Sequence, residues 1–221
     1  MNVLFQVFQE ILHTEREYVK DIDILINSFL LPLRAVKDKI SITDQDLKSL
    51  FSNIEALRPI HSQFYDELSR QFESSEKDGT EPTIGNLFIS LASNLQVYTP
   101  YCTFFPKAIA HHNVLMKDNS KYSKHLKVLE SDPICKNLNV GSWLIKPVQR
   151  LCKYPLLLRE LISHTPESHA DLLNIENAKK KVDEAVDIVN EGKRDAERQE
   201  KMKEIEGVIG GELSLVFIIF H

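Results

Sequence analysis

Residues 143–161 read WLIKPVQRLCKYPLLLREL and carry the clearest pattern in the chain. Apolar side chains recur there every three or four residues, which is the spacing that places them on one face of an α-helix. The predicted core face consists of Leu144, Val148, Leu151, Pro155, Leu158 and Ile162. A second face gathers Ile145, Lys146, Gln149, Arg150 and Lys153.

Two prolines, Pro147 and Pro155, lie within this predicted helix. Each removes a backbone donor and leaves the carbonyl four residues earlier without its partner, at a cost of about 3 kcal/mol in a regular helix. A helix that carries both should bend. Because apolar side chains wrap almost all the way round it, we expect the protein's own core to cover one side and a partner to cover the other. The alternative is a core helix whose cations are only solvated.

The rest of the chain also has helical periodicity, and 7 glycines in 221 residues is below the average of roughly 7%. We therefore predict an all-α fold, an elongated bundle of long, kinked helices. The predicted helices are 3–33, with Pro32 near its end; 43–72, capped by Thr43 or Asp44 and kinked at Pro59; 84–118, divided by Pro100 and Pro106; 120–130; and 168–206. Residues 74–83 are predicted to form an exposed loop.

The final segment, GELSLVFIIFH, has a different pattern. Its largely apolar run follows the pair Gly210-Gly211, which is strand-like and too short to span a membrane. We predict a helical domain over residues 1–206. We interpret residues 207–221 as the start of a truncated following domain or as a C-terminal tail, and the alternative is a terminal segment packed on the bundle.

The composition argues against several functional classes. With 27 Lys and Arg against 32 Asp and Glu the net charge is −5, whereas dedicated nucleic-acid-binding proteins concentrate positive charge. The cysteines form no CxxC pair and the histidines no HExxH pattern, so we expect no metal and no cofactor. Without a GxSxG elbow or a GxxxxGK[ST] loop, we expect neither covalent catalysis nor direct nucleotide binding. The absence of a secretion signal and of a long apolar span favours a soluble, cytoplasmic protein.

Glu15 interrupts the apolar face of the first predicted helix, between Ile11 and Tyr18. An unpaired carboxylate in apolar surroundings is strongly unfavourable. We therefore expect Glu15 either to have a partner or to lie where the protein's own core leaves this face uncovered. Two structural interpretations stay open, a capping box of Thr14 with Glu17 and an internal ion pair that joins two helices.

Three segments together resemble the Dbl-homology (DH) domain, the exchange-promoting module of guanine-nucleotide exchange factors for Rho-family GTPases. The segment HTEREYVKDI, residues 13–22, resembles the first conserved region of that family, and IGNLFISLASNLQVYTPYC with FPKA, residues 84–108, resembles the second. The third region is matched by LIKPVQRLCKYPLLLREL, residues 144–161. The resemblance extends over about residues 3–206, and it implies an elongated helical bundle that grips the switch regions of a GTPase.

The resemblance also implies roles for single residues. Glu15 matches a glutamate that contacts switch I, and Lys153 matches a lysine that contacts switch II. Gln149 and, through a shorter match, Asn190 occupy positions at the same interface. Arg150 is expected beside these residues or behind them as a support of the helix. Glu15 would then be buried only in the complex, and Glu15 and Lys153 would converge on a patch that is bare in the free molecule.

The function implied is guanine-nucleotide exchange in Rho GTPase signalling and cytoskeleton regulation, through stabilisation of the nucleotide-free GTPase and without covalent chemistry. Ile145, just before the KP pair, resembles the residue found in Rac-directed exchange factors and favours a Rac-like partner. We expect a monomer in the cytoplasm, with membrane contact through a following pleckstrin-homology domain. The alternative is a helical scaffold that binds a partner or a membrane surface without promoting exchange.

Overall fold

The computed structural model describes the backbone of residues 3–219, together with the side chains of residues 3–202 and of Ile205. Every regular element in this part of the chain is a helix, so the all-α prediction is confirmed. The α-helices are α1 (Val3–Ile24), α2 (Leu31–Val36), α3 (Asp44–Phe51), α4 (Ile54–Asp78), α5 (Gly85–Ala92), α6 (Tyr98–Asp118), α7 (Ser120–Glu130), α8 (Val140–Leu144), α9 (Lys146–His164) and α10 (Leu172–Ile219). A π-helical segment covers Leu25–Leu30, and short 3₁₀ turns cover Leu95–Val97 and Pro133–Cys135. None of the helices described over residues 3–219 is long and apolar enough to cross a membrane.

The first predicted helix is confirmed and continues as far as Val36. Ile24 and Leu31, which flank the π-helical segment, both keep helical backbone angles, so α1, the π-helical segment and α2 form one unbroken helix. Pro32 lies in the first turn of α2. Because proline has no backbone N–H, it fits where the regular hydrogen-bond ladder is already interrupted by the wider π turn.

The structure corrects the boundaries of two predicted helices, 43–72 and 84–118. The predicted helix 43–72 is divided at Ser52, whose positive φ of 47° ends α3, and Pro59 lies inside α4. Likewise Pro106 lies inside α6. A proline removes only one helical hydrogen bond, and burial of the surrounding turns keeps the helix intact. The predicted loop is shorter than expected, because α4 runs on to Asp78.

The strand-like prediction for the final segment is wrong for residues 212–219, because α10 is helical as far as Ile219. Residues 220 and 221 lie outside the described residues. Once a helix is nucleated, each further residue adds a backbone hydrogen bond, whereas an isolated strand has none to form. With 48 residues α10 is about 70 Å long, which makes the bundle elongated. The division into 1–206 and 207–221 stays a prediction.

Helix α9 lies between α1 and α10, and α10 also packs along α5 and α6. Two neighbours bury α9, so its core-facing arc is wider than the one predicted. Leu144, Leu151 and Leu158 are buried as expected, whereas Val148, Pro155 and Ile162 are only half-buried. The buried side chains that the prediction missed are Pro147, Arg150, Tyr154, Leu157 and Leu161.

Candidate functional site

The carboxylate of Glu15 is completely buried, with 0% of the residue exposed. Arg150 on α9 donates from Nε to Glu15 Oε2 at 3.0 Å and makes a second, shorter bond from Nη2. The Tyr154 hydroxyl donates to the same oxygen at 2.9 Å, and His61 Nδ1 on α4 lies 2.8 Å from Glu15 Oε1. The prediction that Glu15 lies on a patch that is bare in the free molecule is therefore wrong. Of the two open interpretations, the internal ion pair is the one found, because Thr14 lies in the middle of α1.

The hydrogen bonds continue from His61 into the core. Its Nε2 lies 2.7 Å from the Tyr98 hydroxyl, which lies 2.6 Å from the hydroxyl of Tyr18. At the other end Arg150 Nη1 donates to Thr14 Oγ1 at 3.0 Å. These side chains form what we call the Glu15 cluster: Thr14, Glu15, Tyr18, His61, Tyr98, Arg150 and Tyr154. The cluster ties α1, α4, α6 and α9 together.

The charges in the Glu15 cluster compensate each other. Burial by itself would raise the pKa of Glu15, but Arg150 and His61 outweigh it and hold this pKa below its ordinary value. Burial raises the pKa of Tyr98 and Tyr154 well above that of a free tyrosine, so their hydroxyls remain protonated and able to donate. The guanidinium of Arg150 also stacks 4.7 Å from the centre of the Tyr154 ring. An ionised Glu15 and a charged Arg150 thus form a neutral pair inside the bundle.

The outer side of α9 is polar and open. Gln149 and Lys153, four residues apart, are exposed and lie on the same side of the helix, with Leu156 51% exposed beside them. Among the residues whose side chains are described, none forms a hydrogen bond or ion pair with the side chain of Gln149 or Lys153. We call Gln149, Lys153 and Leu156 the outer face of α9. Arg150 directly follows Gln149, and Tyr154 directly follows Lys153. The side chains of Arg150 and Tyr154 are buried in the core.

Ile145 and Lys146 lie at the start of α9 and are half-buried. Lys146 Nζ is 3.7 Å from Asp21 Oδ2 on α1. Ile145 borders an open groove that is lined by Ile109 and Met116 of α6 and by Ser142 of α8. The predicted Ile145 site is therefore accessible at one edge of α9, separate from the Glu15 cluster.

Asn190 is exposed on α10. Burial raises the pKa of Cys102 on α6 to about 12, with a further increase from Cys152 and an opposing effect of Lys193. Helix α10, which carries Asn190, packs against α9.

The structure brings the predicted site residues into two groups. Glu15 and Arg150 form the buried group, and Gln149, Lys153 and Asn190 belong to exposed surfaces. The sequence prediction missed His61, although it occupies an apolar position of α4 between Leu57 and Phe64. A histidine at such a position needs hydrogen-bond partners, and that was the available signal. Over the residues whose side chains are described, no group of three or more His, Cys, Asp or Glu could hold a metal ion.

Comparison with known proteins identifies the family. A family model described as the RhoGEF domain matches residues 7–190. The Myosin-M heavy chain of Dictyostelium discoideum is 34% identical over 208 residues, which is 93% of this chain and 12% of that protein. The phosphatidylinositol 3,4,5-trisphosphate-dependent Rac exchanger 1 protein of Mus musculus is 31% identical over 212 residues, again 93% of this chain and 12% of the relative.

A solved structure, the complex of the PDZ-RhoGEF DH/PH domains with GTPγS-activated RhoA, has a similar fold. Its TM-score is 0.79 at 22% identity, with 90% of this chain and 56% of that chain covered. The chain therefore spans about an eighth of the length of the two relatives and about half of the solved chain. Because the family model covers most of the chain and relatives above 30% identity cover nearly all of it, the protein belongs to the RhoGEF domain family.

Proposed function

We propose that this domain is a guanine-nucleotide exchange factor for a Rho-family small GTPase and that the outer face of α9 binds the GTPase. One observation carries the proposal: Gln149 and Lys153 are free and exposed, while Arg150 and Tyr154, directly next to them, are saturated by the Glu15 cluster. When the inward side chains of a helix are held by hydrogen bonds in the core, the outward side chains are presented on a rigid platform. The relative named as a Rac exchanger and the fold shared with a RhoA-bound domain support the choice of partner.

In this proposal Lys153 pairs with an acidic or carbonyl group of switch II. The side-chain amide of Gln149 donates and accepts hydrogen bonds next to it. Leu156 adds an apolar contact, and Asn190 on α10 extends the surface. Glu15 and Arg150 support the platform from behind. A direct contact of Glu15 with switch I would first have to break its pair with Arg150, which would leave a buried cation without compensation.

Exchange follows from differential binding. A domain that binds the nucleotide-free GTPase more tightly than the nucleotide-bound form lowers nucleotide affinity by the ratio of those two affinities. Each 1.4 kcal/mol of preference corresponds to about tenfold in that ratio. Contacts that reposition the switch regions would disturb the magnesium and phosphate sites of the GTPase, so that GDP leaves without any bond being made or broken in this protein.

We further propose a Rac-like GTPase as the partner, bound by a monomeric domain in the cytoplasm. Ile145 supplies a branched apolar side chain at the position before the KP pair, and it lies at the rim of the groove between α6 and α8. A GTPase side chain of matching size would fill that groove. Membrane recruitment would belong to another part of a longer protein.

The test is release of fluorescent GDP from a panel of Rho-family GTPases, with the wild-type domain and with Lys153→Ala and Gln149→Ala. We expect acceleration on at least one Rac-like member, and a loss of at least about tenfold for Lys153→Ala, as for other central interface contacts. Lys48→Ala is the matched control, because Lys48 is an exposed lysine on α3, which packs against α2 and α6. A domain that binds a GTPase without accelerating release would instead be the scaffold.

A further inference from the structure

His61 occupies the centre of the Glu15 cluster. Its ring is 0% exposed, and side chains of α1, α6 and α9 surround it. The titratable groups in contact with the ring are Glu15 and Tyr18 from α1, Tyr98 from α6 and Tyr154 from α9. Arg150 of α9 contacts two of the same groups, Glu15 and Tyr154. His61 is therefore the point at which three other helices meet α4.

Counting donors and acceptors assigns the proton on the ring. Ionised Glu15 can only accept, so His61 Nδ1 donates to it. If Nε2 is unprotonated, it accepts from Tyr98, and Tyr98 in turn accepts from Tyr18, so every donor in this row is used. If Nε2 carried a proton, both hydroxyls would reverse, and the hydroxyl hydrogen of Tyr18 would have no acceptor among the described residues. In the fully bonded arrangement, Nδ1 donates to Glu15 and Nε2 accepts from Tyr98.

The outer face of α9 depends on this arrangement. Pro155 lies inside α9 and cannot donate to the carbonyl of Leu151, so the turn that carries Lys153 lacks one of its own hydrogen bonds. Arg150 and Tyr154, one turn apart on the inner side, both bind Glu15 Oε2. Two contacts to one oxygen fix the rotation of α9 about its axis as well as its position along it. Oε1 is held by His61, which keeps the carboxylate from turning away.

We propose that His61 is a positioning residue for nucleotide exchange: through Nδ1–H it holds the carboxylate of Glu15 in the orientation that fixes Arg150 and Tyr154, and so fixes Gln149 and Lys153 on the outer face. The inference rests on the proposed exchange function. His61 itself is buried away from any GTPase. Its effect on exchange would pass through Glu15 and α9.

Two amide variants separate the two ring nitrogens. The amide nitrogen of asparagine falls near the place of Nδ1, and that of glutamine near the place of Nε2. His61→Asn keeps a donor for Glu15, whereas His61→Gln keeps only the contact with Tyr98. We expect His61→Asn to retain kcat/KM for GDP release within about threefold, and His61→Gln to lose at least about tenfold, as expected for a lost hydrogen bond to a charged group. If His61 only filled space in the core, His61→Asn would not exchange faster than His61→Gln.

His125→Asn and His125→Gln are the matched controls, because His125 lies on α7 and contributes nothing to the Glu15 cluster. Both should exchange at the wild-type rate. Thermal unfolding of each protein measures the folded fraction at the assay temperature. Should His61→Gln fail to fold, Tyr154→Phe is the second test. It removes the hydroxyl that donates to Glu15 Oε2, and we expect it to lower exchange at least about fivefold, because this hydrogen bond is weaker.

The outcomes separate the two proposals. Equal exchange by folded His61→Asn and His61→Gln, whether high or low, would overturn the positioning role while the exchange function stands. Full exchange by Tyr154→Phe would do the same. If the wild-type domain accelerates GDP release from no GTPase of the panel, the proposed function fails and this inference fails with it.

Discussion

The two oxygens of the Glu15 carboxylate receive hydrogen bonds from side chains of two other helices. Arg150 and Tyr154 bind one oxygen, and His61 binds the other. A buried ion pair is not by itself a large source of stability, because both charges lose their water. Removing one member is nevertheless costly, since the remaining charge has neither water nor partner. The Glu15–Arg150 pair therefore adds little net stability. It does, however, disfavour any packing of the helices that would separate the two charges.

Replacing Glu15 by glutamine should strongly destabilise the domain. The change leaves the Arg150 guanidinium buried without a countercharge, and we expect a loss of about 3–5 kcal/mol in the free energy of unfolding. Urea unfolding measures it. Glu55→Gln is the control, because Glu55 makes a bidentate pair with Arg34 at the surface, where the loss should be below about 1 kcal/mol. Similar losses in the two variants would contradict the assignment of Glu15 as a buried charge.

The contribution of Glu15 should disappear in acid. Its pKa in the folded protein lies below the ordinary value of 4.5, so the folded state binds this proton less readily than the unfolded state. The associated stability is complete above that ordinary value and is lost as the pH falls through the pKa of the folded state. The difference in unfolding free energy between wild type and Glu15→Gln should therefore be constant near neutral pH and shrink below about pH 4.5. A difference that does not change down to pH 3 would contradict it.

The sequence showed that Glu15 lies on the apolar face of α1, but it did not show which side chains would bind its carboxylate. Helical periodicity gives the angular position of a side chain on its own helix, which is why Glu15 could be placed on the apolar face of α1. It does not tell which helices meet. Arg150 was expected beside the partner-contacting residues or behind them, and in the structure its side chain is buried against Glu15. His61 was missed because its partners lie on α1, α6 and α9, far away in the sequence.

Helix α9 presents two sets of side chains that are offset by one residue. Gln149 and Lys153 point outwards, and Arg150 and Tyr154 point inwards. A rotation of α9 by a fraction of a turn would exchange exposure between these sets. Packing of α1 and α10 against α9 opposes it, and α10 is itself closely packed against α5: a Cβ at Gly85 would lie 2.5 Å from Asn174 Cβ. The N–H of Gly85 also donates to the buried carboxylate of Asp171 at 2.8 Å.

Gly85→Ala should push α5 away from α10. The added methyl group would meet the backbone of α10, 2.7 Å from the Ile175 nitrogen, and backbone atoms cannot move aside as a flexible side chain can. We expect a loss of about 1–3 kcal/mol, measured by urea unfolding. In the control Gly192→Ala the new Cβ would meet the Thr99 methyl group at 2.7 Å, which can rotate away. The better helix propensity of alanine, about 1 kcal/mol, should offset that contact. Equal losses would show that the approach of α5 is not limiting.

Predictions of single elements succeeded where the signal was local. Ser120–Glu130 has the predicted bounds, and Thr43 caps α3 in a capping box with Asp46. They failed at Pro106, which was predicted to divide a helix but lies inside α6, where tertiary packing stabilises the helix. Pro59, which was predicted as a kink, does lie inside α4. The break at Ser52 had no such signal, since serine is not a residue that favours positive φ.

In the whole molecule α9 is held by α1 on one side and α10 on the other, so its outer face is fixed to most of the bundle. Such a platform can transmit binding energy to a flexible partner without changing shape itself. The proposed exchange mechanism requires this, because energy spent on moving α9 would not be available to distort the switch regions of the GTPase.

Linkage gives the sharpest test of that mechanism. If the domain lowers the affinity of the GTPase for GDP by some factor, GDP must lower the affinity of the GTPase for the domain by the same factor. We expect this factor to exceed about 100, which corresponds to roughly 2.7 kcal/mol of preference for the nucleotide-free form. It can be measured twice, as the ratio of domain affinities for nucleotide-free and GDP-bound GTPase and as the ratio of GDP affinities without and with the domain. Lys153→Ala should lower both ratios together, because it removes contacts on the outer face and leaves the Glu15 cluster intact. Equal affinity of the wild-type domain for the two GTPase states would mean that the outer face binds without driving exchange, as a scaffold does.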